Sequence, residues 1–323
     1  MNAPFVHDIR MGKRMRLFDT EVQALKYKVI NELVRLDVKG ETNKAYYEIP
    51  KKIAPGPKAT MRCCIYKERA IVEERLKYAM GEENTNGKVV QVIDIACDEC
   101  PVDRYTVTQS CRGCIAHRCF SACPRGAISF EDKKAKINKD KCIECGRCMS
   151  VCPYKAITEH IRPCVAGCVP GAISMDENKK ARIDEKKCTE CGACVYNCPF
   201  GAITDNSYVL DALKLLRESD HGKNYKVYAE IAPSIVSQFS YAKIEQVVTG
   251  LKKIGFHTVV EVALGADMVA IKEARELSEK GILTSSCCPA FVQLIEKQFP
   301  ALAEHISGNL SPMAEIAKYI KET

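Results

Sequence analysis

Sixteen of the twenty cysteines lie between Cys97 and Cys198, most of them in runs of the form C-x2-C-x2-C-x3-C-P. That is the ligand spacing of cubane 4Fe–4S clusters, and sixteen thiolates suffice for four of them. The middle of the chain therefore has to fold around inorganic groups and carry single electrons. A disulfide framework is the other common use of so many cysteines, but it belongs to short secreted chains. Met1 to Phe18 carries several basic residues and no apolar run long enough for a signal peptide or a membrane helix. The expectation is a cytoplasmic protein without a membrane span, from an anaerobic setting, since exposed clusters and thiolates oxidise readily. The formal charge of +7 misleads, because sixteen thiolates and four cores of about 2+ bring the loaded chain to about −1. Nucleic-acid binding has no support in that balance.

Composition changes at two places and divides the chain into a helical segment 1–88, a four-cluster domain 89–206 and a third part 207–323. In the first, Val22, Leu25, Val29, Leu33 and Leu36 form one stripe of a helix over Thr20–Leu36, with Asp19 or Thr20 as N-cap and Gly40 beyond its end. A loop around Ile53-Ala54-Pro55-Gly56-Pro57 precedes a second, charged helix from about Ile65 to Met80 that stops at Gly81. A strand over Val89–Ile95 leads into the first cysteines. The repeats Cys123-Pro-Arg-Gly-Ala-Ile, Cys152-Pro-Tyr-Lys-Ala-Ile, Cys168-Val-Pro-Gly-Ala-Ile and Cys198-Pro-Phe-Gly-Ala-Ile make two ferredoxin-like α+β units of two 4Fe–4S clusters each. Ala127 to Ile137 and Ala172 to Ile183 read as one β-hairpin per unit.

In two-cluster ferredoxins the fourth cysteine of a run binds the other cluster. Cys111, Cys114 and Cys119 then take Cys152, and Cys142, Cys145 and Cys148 take Cys123. Cys188, Cys191 and Cys194 take Cys168, which leaves Cys97, Cys100 and Cys164 for Cys198. This arrangement resembles the four-cluster electron-transfer subunits of molybdenum oxidoreductases with the repeats permuted. It departs from the pattern at Val169, where proline is usual, and in the four residues between Cys114 and Cys119. The alternative for Cys97-x2-Cys100 with Cys111-x2-Cys114 is a structural zinc ribbon, which would strand Cys119 and Cys123.

Beyond Thr204 the pattern alternates: strand near Lys226–Ile231, helix near Ala242–Ile254, strand near Thr258–Ala263, helix Asp267–Lys280, strand Ile282–Thr284. That order implies a parallel α/β sheet with right-handed crossovers. Ligands of such sheets bind beyond the carboxyl ends of strands, where Thr284-Ser-Ser-Cys-Cys-Pro-Ala-Phe291 stands. Adjacent cysteines alone are as often packing as chemistry.

Together with Arg62-Cys-Cys-Ile-Tyr-Lys-Glu-Arg69, the ferredoxin repeats, Ala232-Pro-Ser234 and Gly265-Ala-Asp267, the Ser285-Ser-Cys-Cys-Pro289 motif resembles the iron–iron (FeFe) hydrogenases, closest to the branch called group B, from about Leu17 onward. The resemblance implies half of the parallel-sheet catalytic domain. It also implies, in a longer parent, the hydrogenase H-cluster, a 4Fe–4S cube joined to a diiron unit. By the match Cys288 is a cube ligand and Cys287 delivers protons, a role that suits a thiol in an electropositive niche. The proton path falls on Glu273, Ser307 and Glu276, with the two glutamates three apart on one helix. Ala232, Pro233 and Ser234 match the turn that cradles the cyanide end of the diiron unit; Ser234 as a plain helix N-cap is the other reading of the same residues. Ser311-Pro312 matches, whereas Met313 stands where better-known members carry glutamine, and Ala290-Phe291 where many carry glycine and tryptophan. The family's three remaining cube ligands lie on later motifs, so the 323 residues are expected to be part of a longer enzyme and not to assemble its hydrogen-activating centre alone.

The implied activity is interconversion of protons plus electrons with H2, in exchange with a ferredoxin or similar carrier. A non-catalytic polyferredoxin-type module docked on a partner subunit, and a hydrogen-sensing homologue, are the alternatives. Cys63 and Cys64 read as buried packing residues, or as a redox contact at the surface.

Overall fold

The computed structural model describes residues 10–11, 14–15, 18–82, 87–100, 103–239 and 241–322. The expectation for Met1 to Phe18 falls almost wholly outside these. Among the described residues no helix is long and apolar enough to cross a membrane.

Two short antiparallel strands, β1 (Arg10–Met11) and β2 (Arg14–Met15), precede helix α1 (Glu21–Val38). The Thr20 hydroxyl caps α1 by accepting the Gln23 N–H, as its place before the apolar stripe requires. A helix absent from the sequence reading follows, α2 (Ala45–Ile53), with Pro50 inside it. Helix α3 (Ile65–Met80) ends at Gly81, whose φ of 77° lets the chain turn out through a left-handed cap. Val29, Leu33 and Leu36 of α1 interlock with Ala45 and Ile49 of α2 and Val72 and Leu76 of α3 in one core. The charged α3 also has a buried polar side: Glu68 and Arg75 are hidden. The Glu68 carboxylate accepts the backbone N–H groups of Thr60, Met61 and Arg62, fixing the loop that enters the helix.

The cysteine region is two pseudo-repeated units, one set inside the other. Unit one has outer strands β4 (Tyr105–Val107) and β7 (Ile157–Glu159), paired antiparallel with Val107 opposite Ile157. Between them come α4 (Arg118–Ser121), the hairpin β5 (Ile128–Glu131) and β6 (Lys134–Ile137), and α5 (Arg147–Ser150). Unit two pairs β3 (Val90–Val92) with β10 (Ile203–Asp205) and holds α6 (Pro163–Ala166), the hairpin β8 (Ile173–Met175) and β9 (Ala181–Ile183), and α7 (Ala193–Asn197). Unit one is thus an insertion between Cys100 and Cys164 of unit two. The β3 strand is shorter than expected, because the chain turns into a 3-10 helix at Asp94–Ala96.

Helix α8 (Val209–Glu218) returns to α1, where Arg217 pairs with Asp37 at 3.0 Å. Strands β11 (Tyr228–Ile231) and β12 (Thr258–Glu261) lie parallel, joined through α9 (Ile235–Gln238) and α10 (Ile244–Ile254). Helix α11 (Val262–Lys280) begins five residues before the expected Asp267, so β12 is correspondingly short. The expected third strand does not join the sheet. Thr284 instead makes a single parallel bridge to Ile306, exchanging hydrogen bonds with His305 and Ser307, the segment after the 3-10 turn Pro300–His305. Helices α12 (Pro289–Gln298) and α13 (Pro312–Glu322) complete the described chain.

The early start of α11 has a packing cause. Gly265 lies against α13 so closely that a Cβ there would meet the Pro312 carbonyl oxygen at 2.2 Å and the Ile316 Cβ at 3.1 Å. Ile316 is fully buried, and Lys272 of α11 pairs with the buried Glu315. Gly265→Ala is expected to push the two helices apart at a cost of about 1–3 kcal/mol, seen as an earlier urea transition of the C-terminal part.

Candidate iron–sulfur and catalytic sites

The sixteen cysteines gather into four sets. Cys111, Cys114, Cys119 and Cys152 line one small cavity, closed by Phe130, Ala135 and Ile157. Cys123, Cys142, Cys145 and Cys148 line another, beneath Tyr105, Ile128 and Ile137. In unit two, burial pushes the Cys194 thiol up to about 11, with Cys188, Cys168 and Cys191 adding their charges. Burial likewise pushes Cys164 up to about 11, and its charged neighbours are Cys198, Cys100 and Cys97. Cys97 and Cys100 therefore stand with Cys164 and Cys198, away from the set that holds Cys111 and Cys114, and the zinc-ribbon pairing is not the one that the fold builds.

The repeats have a physical role at each set. The alanine four residues after Cys123, Cys152, Cys168 and Cys198 turns its N–H back onto that sulfur, at 3.2, 3.3, 3.2 and 3.2 Å. The hairpins add one more donor each: Ala135 to Cys111 and Ala181 to Cys97, both at 3.4 Å. Such donors favour thiolates and tune a bound cluster's potential. Among the described residues no three His, Cys, Asp or Glu converge tightly enough for a single ion. The two cavities lined by four thiols each are places for a larger group held at its corners, which is how a 4Fe–4S cube is ligated.

Around the Cys97 set stand three arginines that sequence reading missed. Arg162 reaches the Cys97 sulfur at 3.9 Å. Arg62 donates to the Ala96 carbonyl and lies over the Phe200 ring. Arg75, 3% exposed, donates to the Gly201 carbonyl at 2.7 Å. Burial brings Arg75 down to about 10, while the Cys198 thiolate acts in the opposite direction. Nε and Nη1 of Arg75 and Nη1 of Arg62 are buried with no hydrogen-bond partner. Arg62 has ion-pair partners in Asp98 and Glu99 at 3.6 and 3.7 Å, but Arg75 has none among the described residues. An orphaned buried cation is costly, and an anionic cluster among Cys97, Cys100, Cys164 and Cys198 is what it would compensate.

In the C-terminal part, Ala232, Pro233 and Ser234 lie exposed just beyond the carboxyl end of β11. Ser234 stands at the N-cap position of α9, as the second reading has it, but its side chain makes no capping hydrogen bond. Cys287 and Cys288 both face solvent, with Cys288 at the N-cap of α12. The proposed proton path falls into two groups. Ser285 Oγ accepts the Cys287 N–H and lies 3.4 Å from Glu273 Oε1. Separately, Ser307 Oγ donates to Glu276 Oε2 at 3.1 Å, and Glu276 also accepts from Asn309, the Gly308 N–H and Lys280. The Lys280 ammonium and the Gly308 N–H hold the Glu276 carboxyl below the usual range. Beyond Cys198 the chain has two thiols, too few for a four-thiolate cube.

Helix α12 joins the two regions. Lys297 donates to the carbonyls of Cys188 and Glu185 at 2.5 and 3.3 Å, and Gln293 lies 3.4 Å from Glu190. The helix that starts at Cys288 therefore rests on the loop carrying Cys188.

Cys63 and Cys64 are exposed, which corrects their reading as buried packing. Cys64 stands at the N-terminus of α3, where the Lys67 N–H draws its thiol below the ordinary range. Iodoacetamide labelling of Cys64 is expected to reach half its maximal rate below the free-cysteine value of about 8.5, as tryptic mapping across a pH series would show.

Residues 225–323 match the family described as iron only hydrogenase large subunit, C-terminal domain. Residues 110–156 match the 4Fe–4S dicluster domain and 181–204 the 4Fe–4S binding domain. The chain is 26% identical over 251 residues to iron hydrogenase 1 of Clostridium pasteurianum, an alignment covering 71% of this chain and 42% of that protein. It is 36% identical over 55 residues to electron transport protein HydN of Escherichia coli, covering 17% of this chain and 31% of that one. It is 40% identical over 57 residues to an iron-sulfur protein of Rhodospirillum rubrum, covering 18% and 30%. The chain thus spans less than half the length of these relatives. It carries an iron-only hydrogenase large-subunit domain and 4Fe–4S ferredoxin domains, and is homologous to iron hydrogenase 1 at modest identity.

Proposed function

We propose that this chain is the iron–sulfur electron-transfer part of an iron–iron hydrogenase that interconverts protons plus electrons with H2. The observation that carries the reading is the contact of α12, which begins at Cys288, with the loop of Cys188. It sets a four-thiol set beside the hydrogenase-type domain. In this reading the four cysteine sets would hold four 4Fe–4S clusters, which would supply one-electron transfer. The sets follow in a line. Glu144, between Cys142 and Cys145, shares a groove with Val165, next to Cys164. The order is then the Cys111 set, the Cys142 set, the Cys97 set and the Cys188 set.

The chain's own residues do the rest. N–H groups and three arginines hold charge at the sulfurs, and Lys297 fixes the hydrogenase-type domain against the last set. Cys287 is assigned to proton delivery and Cys288 to the cube of the H-cluster in a longer parent, in half of a parallel-sheet catalytic domain. Glu276, held anionic by Lys280 and Gly308, keeps Ser307 oriented as a donor; these are assigned to the proton path together with Glu273, which stands apart beside Ser285 and Cys287. The Ser307–Glu276 pair favours this reading over a non-catalytic polyferredoxin, which has no use for one. Ala232, Pro233 and Ser234 are assigned to ligand contact at the end of β11.

The test is anaerobic reconstitution with iron and sulfide analysis and EPR. About sixteen irons per chain, with coupled spectra on reduction, are expected. About twelve irons with bound zinc would remove the set of Cys97 and Cys100 from the line.

A further inference from the structure

The end of the line farthest from the hydrogenase-type domain has a surface unlike the rest. The N-terminal helices pack on unit two through Arg75 and Arg62, and α12 rests on unit two through Lys297. Unit one stands out from both. At its Cys111 set the spacing holds two residues more than the C-x2-C-x2-C run, and the segment Ile115–Arg118 fills it. The His117 ring stacks on Phe130 at 3.7 Å and 19°, and His117 itself takes a left-handed φ of 41°. The loop is also seated tightly at Gly113, where a Cβ would meet the Lys133 carbonyl at 2.1 Å. So pinned, it leaves Ile115, next to Cys114, 99% exposed, with Tyr154 and Phe120 half-exposed in the same unit.

Charge singles out the same unit. Between Asp103 and Arg162 there are twelve Lys and Arg against six Asp and Glu. Unit two, residues 88–100 and 163–206, has six against nine. Arg112 and Arg118 line the cavity of the Cys111 set, and Lys133 lies on the adjoining turn. All three are exposed, and none forms an ion pair among the described residues.

We propose that the face of unit one around Ile115, Arg112, Arg118 and Lys133 is the docking surface for an acidic iron–sulfur electron-carrier protein. The proposal rests on the reading of the four sets as a cluster line. A small apolar contact ringed by unpaired cations suits a transient redox encounter, which is small in area and electrostatically steered. One electron passes from the reduced carrier to the cluster at the Cys111 set; the carrier is oxidised, the cluster is reduced, and no bond changes. Unit two, being acidic, would repel the same carrier.

The test uses the full chain, cluster-loaded, with an acidic two-cluster bacterial ferredoxin as the probe. Rapid-freeze EPR reads electron transfer, and iron content and photoreduction read the cluster line itself. For the triple variant Arg112→Glu, Arg118→Glu and Lys133→Glu, two of whose residues line the Cys111-set cavity, rates are taken per photoreducible cluster, counted from iron content and photoreduction. Its second-order rate at low ionic strength should fall at least about tenfold and lose most of its salt dependence. Ile115→Ser, which leaves charge untouched, should weaken half-saturation by about fivefold. Unchanged rates in a loaded chain, or an equal loss on reversing Lys179, Lys186 and Lys187 of unit two, overturn the docking proposal alone. A wild-type chain that takes up no clusters overturns the cluster line and the docking proposal together.

Discussion

Arg75→Met is expected to lower the reduction potential of the cluster at Cys97, Cys100, Cys164 and Cys198 by roughly 90 mV. The figure is that of any unit charge at a nominal separation of about 8 Å in an effective dielectric of about 20, worth about 2 kcal/mol, converted for one electron. The sign follows from charge: removing a buried cation makes the added electron less welcome. Without clusters the expectation reverses. There Arg75 is a buried cation with two unpartnered nitrogens, and burial, partly offset by the Cys198 thiolate, brings it to about 10. That depression corresponds to a net cost of about 3 kcal/mol at neutral pH. Methionine of similar length should therefore leave the cluster-free chain as stable or more so, while the loaded chain is weakened. Redox titration followed by EPR, with urea unfolding of both forms, reads the two effects. Arg75→Lys keeps the charge and should recover most of the potential. An unaltered potential in Arg75→Met would sink the idea that this arginine serves the cluster.

Cys198→Ser should remove one cluster and interrupt the line at its third member. Iron would fall from about sixteen to about twelve per chain. Cys198 is also part of the unit-two core with Ile93, Cys164 and Ile203. Cluster binding is folding energy, so the β3–β10 pair should lose amide protection as well. Cys114→Ser, at the outer end, should cost the same iron but leave that pair protected. In Cys198→Ser, electrons given to unit one should no longer reach the Cys188 set, and the coupled EPR pattern should split into separate signals. Intact coupling with only three clusters would mean that the sets are ordered otherwise.

The turn from each repeat cysteine to its alanine N–H was legible because the Cys-to-Ala repeat is short-range: one turn decides where each N–H points. Thr20 and Gly81 were legible for the same reason, as caps act within four residues. Helix α2 was not, since Pro50 reads as a breaker, yet its missing N–H is tolerated here while Ala45 and Ile49 are held by α1 and α3. The buried sides of Glu68 and Arg75 were hidden inside a helix that looks evenly charged, and only the approach of Gly201 and of the Thr60–Arg62 loop gives them an inside. The strand expected at Ile282–Thr284 has the right residues. Its partner proved to be Ile306 and not the sheet, a choice set by packing between distant segments.

Nesting one unit inside the other imposes an order on biogenesis. As the chain leaves the ribosome, Cys97 and Cys100 emerge first but wait for Cys164 and Cys198. The insert meanwhile has all of its thiols once Cys152 has appeared. Once folded, the insert brings its two ends together at the β4–β7 pair, so the waiting thiols no longer bear the closure entropy of a long free loop. A scaffold that delivers preformed clusters would thus find unit one competent before unit two. A lesion that opens the β4–β7 closure of unit one would reach unit two through assembly, although it touches none of that unit's ligands.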